Sequence, residues 1–137
     1  MTRATLNPGD RIHDDEALLA LATQLGRELD DFGRTLALTW LDADDHLLPI
    51  VVPIGDIPEL PDEGFGPGLE TVMGASVHEH APGGSVVPVL IRGGSPTVTA
   101  GDRAWNRLLR EQDSVRVRGV FVAVAGTVRP IAVDDAA

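Results

Sequence analysis

The stretch at 86–105, VVPVLIRGGSPTVTAGDRAW, decides how the chain is read. Residues 86–92 form a nearly unbroken apolar run, the pattern of a central strand covered on both faces. GGSPTV then breaks the run with turn residues. Thr99 and Asp102 follow at the spacing of a helix capping box: a hydroxyl at the N-cap and a carboxylate three residues on. A buried strand leading through a loop into a helix sets an α/β frame, and the other segments fit around it.

Upstream, residues 68–81 read as a helix with Leu69, Val72, Met73 and Val77 facing inward and PGGS as its stop. RTLALTWL (34–41) and HLLPIVVPI (46–54) read as a hairpin joined by the DADD turn at 42–45. Pro49 and Pro53 lack a backbone donor, so the second strand lies at an edge or is interrupted. GDIPELPDEGFGP (55–67) is an exposed loop by composition. Leu18, Leu21, Ala22, Leu25 and Leu29 recur at helical spacing within 13–29, behind an Asp14 N-cap, and DDFG (30–33) ends that helix. Downstream, residues 99–112 are a third helix with Trp105, Leu108 and Leu109 inward. Residues 115–126 are a long strand and 127–133 its hairpin partner. The expected fold is α/β: one domain over 1–137 with a single mixed β-sheet of about five strands and three helices packed on it. Residues 1–12 are an irregular lead-in and 134–137 a tail.

Composition narrows the chemistry. The chain has 137 residues, enough to bury a core without staples, and a hydrophobic fraction of 43%. It contains no cysteine, which removes disulfides, thiolate nucleophiles and Cys-based metal sites. All 11 basic side chains are Arg, so Schiff-base chemistry and a P-loop lysine are also excluded. The net charge of −10 repels phosphate backbones and anionic lipids. No apolar stretch has membrane-span length, and the first residues lack a signal-peptide core. The expectation is a cytoplasmic protein that binds neither nucleic acid nor membrane. The richness in Ala, Val, Gly, Pro, Asp and Arg, as in GC-rich coding, points to an actinobacterial source.

The order of elements and the strand–loop–T-x-x-D arrangement resemble the RadC-like JAB/MPN fold, a relative of the cytidine-deaminase-like architecture. The segments HAPGGSVVPVLIRGGSPTVTAGDRAWNRLL and RGVFVAVAGTVRPIAVDD also resemble a group of uncharacterised actinobacterial proteins. In JAB/MPN proteins an H-x-H at the end of the central strand and the Asp of S-x-x-D hold zinc, and a glutamate elsewhere is the general base. The resemblance places Asp102 on the ligand aspartate and Thr99 on the serine. The histidine positions fall on Val89 and Ile91, or on Arg92 after a register slip, so the metal motif is degenerate. Zinc chemistry needs three protein ligands and an open fourth position, and this strand end offers no imidazole.

Three further readings remain at this stage. His78-x-His80 could join Asp102, with His46 or Glu79, in an atypical metal site, although residues i and i+2 of a helix do not face each other. The plainer reading is a pair of cations at a helix C-terminus. Arg92, Arg116 and Arg118 could form an anion pocket with the helix N-terminus at Thr99. Trp40 and Trp105 read as core anchors. The leading expectation is a non-catalytic JAB/MPN-like domain, a pseudoenzyme without catalytic residues, metal or cofactor, that acts through a protein partner or as a homodimer. The alternatives are a metal-dependent hydrolase and a small-anion-binding module.

Overall fold

The computed structural model describes residues 6–29, 33–62 and 64–133. The tail at 134–137, the start of the lead-in and most of the DDFG helix stop lie outside them. The elements are α1 (Asp15–Glu28), β1 (Thr35–Leu41), β2 (Leu47–Ile54), α2 (Phe65–His80), β3 (Ser85–Arg92), α3 (Ala100–Arg110), β4 (Arg116–Val117), β5 (Val120–Val124) and β6 (Thr127–Ile131). Among the described residues the architecture is α/β, with one mixed sheet of six strands and three helices.

The sheet order is β2-β1-β3-β5-β6, with β4 also on β3. β1 pairs antiparallel with β2 and β3, and β3 pairs parallel with β4 and β5. Period-two alternation sends successive side chains to opposite faces. Leu36, Leu38, Trp40, Val86 and Leu90 join α2 and α3 in one apolar cluster, while Ala37, Leu41, Val87, Val89 and Ile91 join α1 in another. Every residue of β3 is buried, as an apolar run sandwiched between helical layers requires. Both tryptophans are core anchors at 0% exposure, and each indole donates to a carbonyl: Trp40 to Met73 at 2.9 Å and Trp105 to Pro58 at 3.0 Å.

Two elements depart from the sequence reading. α2 begins at Phe65 rather than 68, taking GFGP from the loop. Pro67 falls in its first turn, where backbone N–H groups have no helical partner and a missing donor costs nothing. The strand expected at 115–126 is broken. The register against β3 is Ser85 with Arg116 before the break and Val89 with Phe121 after it, so one extra residue has been inserted near Gly119. Val115 faces the α2/α3 cluster before the insertion and Val120, Val122 and Val124 face it afterwards. The bulge lets one segment keep its apolar side on the same core across a change of parity.

β2 is an edge strand in which all eight residues, LLPIVVPI, are apolar. The Leu47 N–H and C=O turn away from β1, bonding to Asp10 and Gly9 of the lead-in. The β1–β2 register slips between Leu47 and Val51, so alternation is counted from Pro53, which has no N–H for Ala37. Val51 points outward with it, and Pro49, within the slip, has no N–H to offer either way. Of these three only Val51 carries a donor, so the open edge is nearly donor-free.

Candidate functional site

The strand end and helix start that motivated a metal site are held together by one buried ion pair. Arg92 closes β3, and period-two alternation places it on the same face as Val86 and Leu90, toward α3. α3 opens with Thr99 as N-cap. The Thr99 hydroxyl accepts from the Asp102 N–H at 3.1 Å, and Asp102 Oδ2 accepts from the Thr99 N–H at 3.0 Å. The capping box expected from the sequence is complete.

Asp102 has a second task. Its two oxygens take a bidentate contact from Arg92, Nε to Oδ1 at 2.9 Å and Nη2 to Oδ2 at 2.7 Å. The remaining guanidinium hydrogens go to loop carbonyls: Nη1 to Gly93 and Ser95 at 3.0 and 2.7 Å, Nη2 to Thr97 at 3.1 Å. A guanidinium has five N–H donors, and all five are spent inside the protein. The two side chains are 3% and 1% exposed. Burial alone would push the Asp102 carboxyl up. The Arg92 hydrogen bonds, the Thr99 N–H and the Arg92 charge outweigh it and hold the group below the ordinary aspartate range.

This geometry corrects the anion-pocket expectation. Arg92 has no donor left for an outside anion, and its charge is neutralised by Asp102. Arg116 and Arg118 are not near it: Arg116 pairs with Ser85 and the Arg118 N–H bonds to Val86, at the opposite end of β3. Seven residue steps of strand separate the two ends, on the order of 20 Å. Arg118 instead approaches Asp45 at 3.7 Å. Thr99 is a cap.

The atypical metal set is corrected for the same reason. His78 and His80 lie at the exposed C-terminal end of α2, which leads into the start of β3, whereas Asp102 sits beside its end. His80 contacts Glu79 at 3.7 Å. Among the described residues only Asp42, Asp44 and His46 gather three ligand-type side chains. They occupy the β1–β2 turn, where Asp42 Oδ1 accepts the N–H groups of Asp44 and His46, both at 2.9 Å. The His46 N–H is the main reason the Asp42 carboxyl titrates below its usual range. The cluster is the hydrogen-bonded tip of a tight turn, with Asp45 in the left-handed region at φ 65°.

The sequence reading singled out Arg92 and Asp102 separately and did not join them. The available signal was a charge closing a wholly apolar strand, since such a charge needs a buried partner. Compared with known protein families and with curated proteins, the sequence matches none. No helix among the described residues is long and apolar enough to cross a membrane.

Proposed function

We propose that the chain is a non-catalytic domain with a JAB/MPN-like layout that works in the cytoplasm through protein interaction. One observation carries the reading: the Arg92–Asp102 pair with all five guanidinium donors engaged. In the resemblance, Asp102 would be a zinc ligand. Here its two oxygens are taken up by Arg92 and Thr99, and a fixed cation stands where the metal charge would be. The pair does structurally what a bound ion would do electrostatically, with no open position to acidify water. The uncharged outer strand β2, with Pro49, Val51 and Pro53 exposed, supports the interaction part of the proposal, because exposed apolar side chains are a surface that partners cover. A cysteine-free chain with an ordinary core suits the cytoplasm.

The test is zinc titration by calorimetry, together with hydrolysis assays on peptide and isopeptide bonds with zinc supplied. The expected outcome is no tight zinc binding and no zinc-dependent turnover. Stoichiometric zinc and hydrolysis, both lost in Asp102→Ala, would overturn the proposal.

A further inference from the structure

We infer that the groove between β2 and α2 is a docking site for a basic amphipathic helix of a partner protein. The inference deepens the interaction reading and rests on it. The groove has a volume of about 390 Å³ and is lined by Ile54, Gly64, Phe65, Gly68, Leu69 and Val72. Leu48, Ile50 and Val52 of β2 are half-buried against the same core cluster as Ile54. The lining contains no charged side chain. A Cβ built at Gly68 meets nothing within 4 Å, so the wall of α2 is open there.

Charge decides what covers this surface. Between residues 54 and 80 the sequence holds six acids and no Arg or Lys. Asp56, Glu59 and Asp62 lie in the loop between β2 and α2, and Glu70 lies on α2. A second copy, itself at −10, would bring these acids against acids. A segment with apolar anchors flanked by Lys or Arg matches the apolar floor and the acids of the adjoining chain, of which Asp62 accepts a hydrogen bond from the groove residue Gly64. Backbone pairing is a poor source of the contact. Pro49 and Pro53 leave only the Val51 donor on the open edge, and the lead-in already occupies Leu47. The partner therefore attaches by side chains, as a helix in a groove does.

The experiment uses the full chain and a labelled synthetic helix of Leu and Lys, with a Leu and Glu counterpart as control. Binding is read by fluorescence anisotropy. The basic helix is expected to bind at least about tenfold more tightly than the acidic one, and to weaken between about 50 and about 300 mM salt. Gly68→Phe, which fills the groove, should weaken it at least about fivefold, and Val72→Ser should weaken it in the same direction. Val133→Ser, at a side chain 69% exposed outside the groove lining, should leave binding unchanged. Equal binding of both helices, or no effect of either groove substitution in folded protein, would overturn the inference. So would a dimer in light scattering that Gly68→Phe dissociates, since it would identify a second copy as the occupant. These failures leave the zinc result untouched, so loss of the docking site and loss of the non-catalytic reading are distinguishable.

Discussion

Removing the carboxylate at position 102 should cost far more than an ordinary surface ion pair. In Asp102→Ala the Arg92 guanidinium stays inside, where its side chain is 3% exposed, and two of its five donors lose their acceptors. Breaking a buried pair from one side costs about 3–5 kcal/mol. Losing the N3 half of the capping box adds roughly 0.5–1 kcal/mol. A domain has only about 5–15 kcal/mol in total. With a urea slope of about 2 kcal/mol per molar, the unfolding midpoint should fall by about 2 M. The two buried tryptophans report the transition by fluorescence, with no tyrosine background. The decisive comparison is the double variant Arg92→Met/Asp102→Ala. It removes the stranded charge, and the carbonyls of Gly93, Ser95 and Thr97 lie in an exposed loop where water replaces the lost donors. The double variant should be more stable than Asp102→Ala alone, and its cost should fall short of the sum of the two single costs by about 1–3 kcal/mol or more. A single-variant cost below about 1 kcal/mol, or a double variant that loses the sum of both singles, would refute the reasoning.

The same pair sets the acid limit. Its folded carboxyl titrates below the ordinary aspartate value of about 3.9, so its contribution is complete above that value and drains away as pH falls through the lower folded value. Urea midpoints measured from about pH 6 down to about pH 2 should fall less steeply in Asp102→Asn than in the parent chain. Gly84→Ala should destabilise by several kcal/mol in thermal melts, because a Cβ there runs into the Leu41 carbonyl oxygen, which is backbone and cannot swing aside. Pro49→Thr/Pro53→Thr restores two donors on an apolar edge. The variant should self-associate at concentrations where the parent does not, and an unchanged sedimentation profile would count against the proline account.

The strand–loop–helix frame was legible because each part has a local signature: an apolar run, turn residues, a hydroxyl and a carboxylate at capping distance. Pairing is not local. Arg92 and Asp102 are ten residues apart, and their meeting depends on α3 folding back over the end of β3. The bulge at Arg118 and Gly119 shows in the sequence only as a change of parity from Val115 and Val117 to Val120, Val122 and Val124. An unbroken strand over 115–126 has no place for that change. The start of α2 was hidden because Gly66, Pro67 and Gly68 are loop residues by composition, and only the position of Pro67 within the first turn makes them compatible with a helix.

The loop at 93–97 looks like the place a protease would enter, since all five residues are exposed and two are glycines. Three of its carbonyls are nevertheless tethered to a guanidinium that cannot leave without abandoning Asp102. Opening the loop enough to fit a protease cleft thus strips three acceptors from a buried guanidinium. Nicking should track unfolding of the whole domain instead of local breathing. A segment with the composition of a hinge would then turn over with the kinetics of the core.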